Sequence, residues 1–277
     1  PFLQRLHRPR FNALSDDDIA PTCVVSCFVM LFISWNINGI ARRFDEVKRL
    51  VADYSPDFLC LQKVRSHEDC DSLAVDGYRL LLAPLDRGDW SGVAIYVSQD
   101  SGIMPGRIET RELSPGGHLQ VFDCGTFALL NTYVPFANQN LDGAVEFRRR
   151  WDDAYRSFVR GLSRKLPLII CGDMNVVHTE YDTCERRLES TRPNFTRWER
   201  DNFNSLISGC DLADPYRKMH PTEKKPTYYG AWRHLRTGNR IDYFLISRSL
   251  LPRVIAAEIL TDFGSGQSVP ITLEIDL

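Results

Sequence analysis

Four clusters of polar residues stand directly at the ends of apolar runs: Asn36 and Asn38 in SWNING, Tyr133 in NTYVPFAN, Asp173 and Asn175 in IICGDMNVVH, and Asp242 in NRIDYFLIS. A strand end delivers a rigidly held side chain to one rim of a sheet, where a shared site can form. Carboxylates, amides and a phenol gathered at such a rim can position a water molecule and stabilise charge developing on an oxygen. Each residue alone has a plainer reading, since Asn and Asp after a strand are turn formers. Four such clusters in one chain favour a site.

The elements that must hold these residues follow from periodicity. Short runs rich in β-branched and aromatic residues, bounded by Gly, Pro, Asp or Asn, predict strands over 24–35, 58–62, 78–83, 92–97, 119–122, 127–133, 167–171 and 243–246. Phe44, Val47, Leu50, Val51 and Tyr54 repeat at helical spacing, as do Phe147, Trp151, Ala154, Tyr155, Phe158, Val159 and Leu162, and a third helix is expected over 197–207. Arg148, Arg149 and Arg150 are placed on the solvated face of the second helix. Strands mixed with helices, several strands being consecutive, predict an α/β chain of two packed sheets flanked by helices.

Composition narrows the class. The 277 residues carry 34 Lys and Arg against 36 Asp and Glu, a net charge of -2, with 43% hydrophobic and 11% aromatic residues. These values exclude disordered, collagen-like and coiled-coil chains, and a polycation that coats nucleic acid by bulk charge. The eight cysteines include no C-x-x-C pair and no histidine at zinc-ligand spacing, so zinc is not expected; Cys60 and Cys171 sit in apolar runs and read as buried thiols. The longest apolar stretch, 23–35, is shorter than the ~20 residues that span a bilayer, and no membrane partner is expected. Residues 1–21 carry Arg5, Arg8 and Arg10 with no acid before Asp16, and read as a basic arm or a transit remnant; residues 22–277 read as a single domain. The expected localisation is mitochondrial, with nuclear or cytoplasmic as the alternative.

SWNING, DFLCLQ, WSGVAIY, NTYVPFAN, FRRRWDDAYRSF, LIICGDMNVVH, FTRWER, RIDYFLISRSLLP and GSGQSVPITL occur in the order of the motifs of the exonuclease III-type apurinic/apyrimidinic (AP) endonucleases, and the chain resembles that family over residues 31–277. The resemblance implies the four-layered α/β sandwich of the endonuclease/exonuclease/phosphatase superfamily and hydrolysis of a phosphodiester with a divalent metal, normally Mg²⁺. It implies that Asn36 orients the site, Asn38 stands at a metal-associated position and Tyr133 lies beside the scissile phosphate. Asp173 falls on the aspartate that handles the attacking water or leaving group, Asn175 on a phosphate-side amide, and Asp242 on the partner of a catalytic histidine. His178 matches a family histidine.

Two departures change the expected chemistry. Where the family reads LQET, its Glu the principal metal ligand, this chain reads Leu61-Gln62-Lys63-Val64. A charged Lys has three donors and no lone pair, so it repels a cation. Where the family ends in Gly-Ser-Asp-His, Gly264-Ser265 is followed by Gly266-Gln267-Ser268; His234 is the last histidine, and no acid lies between Asp262 and Glu274. The two changes move the pocket by +3 in charge relative to an active relative. Lys63 is expected to enter the former metal position and pair with Asp173 or Asp242.

Between Tyr216 and Arg240 seven basic residues accompany one acid, interleaved with aromatics. Arg217, Lys218, Lys224, Lys225, Tyr228, Tyr229, Trp232, Arg233, Arg236 and Arg240, together with Lys63 and Trp198, are the expected nucleic-acid contacts, because cations neutralise phosphates and aromatics stack on bases. The expected function is an AP endonuclease-like protein that has lost Mg²⁺-dependent hydrolysis, needs no cofactor, and serves as an RNA- or DNA-binding or scaffolding subunit with protein partners in a larger assembly. The alternative is an active Mg²⁺-dependent repair enzyme in which Glu68 or Asp262 supplies the missing carboxylate.

Overall fold

The computed structural model describes residues 29–65, 70–82, 92–103, 108–114, 117–138, 142–185, 191–230 and 237–277. The N-terminal arm, Glu68, Trp232, Arg233 and Arg236 lie outside the described residues.

Twelve described strands form two six-stranded mixed sheets. The first has the order β11 (Val254–Ile259), β12 (Ile271–Asp276), β1 (Val29–Asn36), β2 (Phe58–Gln62), β4 (Val93–Ser98), β3 (Tyr78–Leu82). The second has the order β5 (Ile108–Ser114), β6 (Gly117–Asp123), β7 (Ala128–Tyr133), β8 (Leu168–Asp173), β10 (Asp242–Ser247), β9 (Leu212–Ala213). Their inner faces meet through Phe32, Phe58, Phe122, Phe127, Ile169 and Phe244, with the buried thiols Cys60 and Cys171 among them. Helix α1 (Phe44–Tyr54) covers the outer face of the first sheet with Val47 and Leu50. Helices α2 (Ala144–Ser163) and α3 (Arg197–Gly209) cover the second with Trp151, Tyr155, Val159, Phe203 and Leu206; a short helix, α4 (Pro215–Met219), packs beside β11. The result is the four-layered α/β sandwich expected from the sequence.

Every strand assigned from the sequence is present among the described residues. Four strands were not anticipated, each for a physical reason. In β5, IETRELS carries three charged residues and no apolar run; β9 is two residues long; VIAAEI in β11 is rich in residues of low strand propensity; and ITLEID in β12 carries two acids in its last three residues.

Register brings the chemistry to one rim. In the first sheet β1 and β2 run parallel with Asn36 opposite Gln62, so the segments after both strands leave at the same end. In the second, β7 and β8 run parallel with Tyr133 opposite Asp173, and antiparallel β10 places Asp242 opposite Asp173. A buried polar bridge fixes the two sheets to each other just below that rim. The Gln62 side-chain amide donates to Asn131 Oδ1 at 2.7 Å and to Ser34 Oγ at 3.0 Å, while Asn131 Nδ2 donates to the carbonyls of Ala94 at 2.9 Å and Leu61 at 3.1 Å. Buried hydrogen bonds of this kind, running between the sheets, admit few alternative alignments of the layers.

A candidate nucleic-acid pocket centred on Lys63

Past their strand ends the β1 and β2 segments stay zipped together. Ile37, Gly39 and Ile40 donate their N–H groups to the carbonyls of Gln62, Lys63 and Val64 at 3.0, 2.8 and 2.8 Å. This pairing holds Lys63 with φ of 51°, so that its side chain turns inward across the gap between the sheets. Its Nζ lies 3.3 Å from Asp173 Oδ2 and 4.8 Å from the centre of the Tyr133 ring. Asn36 Nδ2 donates to the same Asp173 oxygen at 2.8 Å, and the Asn175 N–H donates to Oδ1 at 3.0 Å. Asn36, Lys63, Tyr133, Asp173 and Asn175 therefore form one connected set built from both sheets. Lys63 pairs with Asp173, as expected from the sequence.

Charge within this set follows from burial. Burial opposes the charge on Lys63, yet the Asp173 carboxylate, with Tyr133 and Asp242 nearby, holds its ammonium above the ordinary lysine range. Burial pushes the Tyr133 phenol up, against the pull of Lys63. Asp242 is buried, and neither of its carboxyl oxygens has a hydrogen-bond partner. Burial first, and the Asp173 charge second, push it up to about 8. Burial thus favours its protonated form, and its backbone is held in place: Thr227 Oγ1 accepts the N–H groups of Ile241 and Asp242, each at 3.1 Å.

Mg²⁺ favours an octahedral cage of oxygens that includes carboxylates. Here Asp173 is engaged by Lys63, Asn36 and the Asn175 N–H, and an ammonium stands between strand ends where a further acid would be needed. No group of three or more His, Cys, Asp or Glu side chains is arranged to hold a metal among the described residues. This donor set does not fit Mg²⁺. Asp262, on the segment that leads to Gly264, does not line the pocket.

The pocket in front of Lys63 has a volume of about 530 Å³ and is lined by Asn36, Asn38, Tyr133, Asn175, Gln267 and Ser268 on its floor. Phe136, Phe195 and Tyr228 contribute aromatic surface, and Arg65 and Arg192 further positive charge; among the described residues no Asp or Glu lines the pocket. Asn38, Lys63, Arg65, Asn175 and Asn194 are five of the seven described non-glycine residues with positive φ, so backbone strain concentrates here. The left-handed region costs an L-residue roughly 1–2 kcal/mol, which Asn offsets by local hydrogen bonding and Lys and Arg do not.

FTRWER acts as an element start. Thr196 caps α3, with a 3.0 Å bond from its N–H to Glu199 Oε2, while Glu199 Oε1 accepts the Asn194 N–H at 3.0 Å. The cap thereby sets Asn194 and Phe195 against the pocket, and the Phe195 carbonyl is held by Arg200. Trp198 does not line the pocket; the Arg149 guanidinium lies 4.9 Å from its ring. His178 is turned to α3, its Nε2 2.7 Å from Asn204 Oδ1.

The basic, aromatic stretch differs from expectation. Arg240 is buried and bonds to Asp182 at 2.7 Å and Asp214 at 2.6 Å, because its side chain enters the layer beneath β10 rather than the groove. Arg217 joins the same acid, Asp182, and the carbonyls of Tyr181, His220 and Glu223. Tyr229 is buried in the inter-sheet core, Lys225 faces Glu258 at 3.9 Å, and Lys218 and Lys224 are exposed away from the pocket. Of this stretch only Tyr228 lines the pocket among the described residues.

Arg148 corrects a second expectation. It is buried, not solvated, and donates to the carbonyls of Pro135 at 2.9 Å, Met174 at 3.1 Å and Asn175 at 3.3 Å, with Asp152 accepting from Nε at 2.8 Å. It thus clamps the segments that follow Tyr133 and Asp173. Its spacing to Trp151, Tyr155 and Val159 places it in line with the buried stripe, a signal that was available in the sequence. Arg65 and Arg192 were also missed. Arg65 stands two residues beyond Lys63 on the same segment, whereas nothing local distinguishes Arg192.

Residues 33–265 match the pattern of the Endonuclease/Exonuclease/phosphatase family, and the chain belongs to that family. Within it, the relatives are of the exonuclease III type with AP endonucleases. Recombination repair protein 1 of Drosophila melanogaster is 31% identical over 260 residues, covering 89% of this chain, which spans only 37% of that protein's length. The Exodeoxyribonuclease of Bacillus subtilis is 26% identical, with 90% of this chain and 100% of that one covered. The crystal structure of an AP endonuclease from Leishmania major shares the fold with a TM-score of 0.76 at 20% identity, over 90% of this chain and 88% of the other.

Proposed function

We propose that this chain is a nucleic-acid-binding member of its family that does not hydrolyse phosphodiesters with a metal, and that it serves as a binding or scaffolding subunit of a mitochondrial RNA or DNA assembly. The observation that carries the reading is the ion pair of Lys63 with Asp173 at 3.3 Å, an ammonium standing where metal-dependent chemistry calls for a carboxylate. A pocket of about 530 Å³ that, among the described residues, is lined by three cations and no acid supports an anionic partner. That relatives carry repair and exodeoxyribonuclease names supports a nucleic acid.

Incubating the protein with an abasic-site duplex and with single-stranded DNA and RNA, with Mg²⁺ or Mn²⁺ present, tests the reading. The expected outcome is retention that weakens steeply with salt and no strand scission at high protein concentration. Scission that disappears in Asp173→Asn would establish an enzyme instead, and absence of binding even at low salt would point to a role with proteins alone.

A further inference from the structure

Lys63 has hydrogen-bonding capacity beyond the Asp173 pair. An ammonium carries three donors; one points to Asp173 Oδ2, and the side chain is 19% exposed at the pocket. Arg65 and Arg192 line the same space, Arg192 also pairing with Glu185 and lying 4.8 Å over the Phe195 ring. Opposite these cations Asn36 Oδ1 is buried with no hydrogen-bond partner, an acceptor suited to a hydroxyl. Lys63 and Arg65 both hold a backbone conformation that Gly or Asn would adopt more readily, so these long cationic side chains are kept at the pocket against local preference.

We propose that the pocket binds one phosphate group without any metal ion, with the Lys63 ammonium as the charge that faces it and Arg65 as its second cation. This rests on the nucleic-acid reading above and specifies what part of the nucleic acid enters. The phosphate belongs to a nucleotide whose sugar or base packs against Phe136 and Tyr228, since the pocket is larger than a lone phosphate requires. Charge-assisted hydrogen bonds from Lys and Arg in a partly dry pocket are about twice as strong as neutral ones. A divalent ion would have to displace Lys63 from Asp173 to enter, so it plays no part in completing the phosphate site.

Calorimetric titration of the full chain with thymidine monophosphate, with a dinucleotide carrying a single internal phosphodiester, and with thymidine tests this in chelator and in Mg²⁺. At least one phosphate-bearing probe is expected to bind equally in both conditions, thymidine not at all. Tighter binding of the monophosphate assigns the site to a strand end, and tighter binding of the dinucleotide to an internal phosphate. Lys63→Gln is expected to weaken binding about tenfold or more. Arg65→Gln, which leaves the Asp173 pair intact, is expected to weaken it severalfold and decides the matter if Lys63→Gln fails to fold. Binding that requires Mg²⁺, or that neither substitution changes, overturns the proposal. Long single strands measured in parallel separate the two readings: phosphate bound with polynucleotide ignored contradicts only the proposed function, and polynucleotide retained with no effect of either substitution contradicts only this inference.

Discussion

Asp242 shows how a residue can keep its place while its environment alters its chemistry. Its pKa, raised from an unfolded value of ~3.9 to about 8, means that between those values the folded chain holds a proton which the unfolded chain has already released. A raised pKa contributes stability that is fully present below pH ~4 and is lost as pH rises through about 8. Denaturant midpoints should therefore fall across that window, and Asp242→Asn should flatten the fall and leave the variant the more stable protein at pH 9; an unchanged slope would contradict the assignment. Arg148 carries a different expectation. Arg148→Met removes donors from three buried carbonyls and leaves Asp152 without its partner, so a loss of roughly 2–4 kcal/mol is expected from denaturant unfolding. Weaker nucleic-acid binding should accompany it in the fraction that folds, because the clamp sets the segments after Tyr133 and Asp173.

Among the elements, strand ends were the most legible part of the sequence. β2 and α1 have the predicted bounds, and the polar residues after β1, β7 and β8 and at the start of β10 meet at one rim as their positions implied. What the sequence hid is what depends on partners distant in the chain. Arg240 looks like its basic neighbours until Asp182 and Asp214 come from other segments to bury it. Burial alone would raise the Asp182 pKa, but Arg240 and Arg217 pull it down to about 2. That contribution is present above the unfolded value of ~3.9 and is lost as pH falls toward 2, a matter of ~2–3 kcal/mol. Acid titration of stability should lose this increment in Asp182→Asn, which should also be less stable than the parent at pH 7. Between β7 and β8 the contact is closer still. Gly172 has φ of 133°, and a Cβ there would collide with the Thr132 carbonyl oxygen. Gly172→Ala is expected to cost on the order of 4 kcal/mol or more, or to prevent folding, since the backbone between Tyr133 and Asp173 would have to part; a thermal midpoint unchanged from the parent would show that the strands can shift.

Across the whole molecule, the net charge of -2 says little, while its distribution says a good deal. Arg240 pairs with Asp214 and Asp182 in the outer segments, and a pocket between the sheet rims gathers Lys63, Arg65 and Arg192 among the described residues. Residues 33–265 match the family pattern, and the four layers of the described residues position the rim much as two rigid plates would. That the pocket had gained positive charge was legible from Lys63 and the missing C-terminal acid. The raised pKa of Asp242 and the contributions of Arg65 and Arg192 were not, because they depend on which segments converge across the gap. The central claim is that an ammonium occupies the place of a metal ion. Diffraction from crystals soaked in Mn²⁺, read by its anomalous signal, tests it directly. The expected map shows Lys63 within hydrogen-bond reach of Asp173 and no ion beside Asn38, and a Mn²⁺ peak coordinated by Asp173 with Lys63 displaced would contradict it.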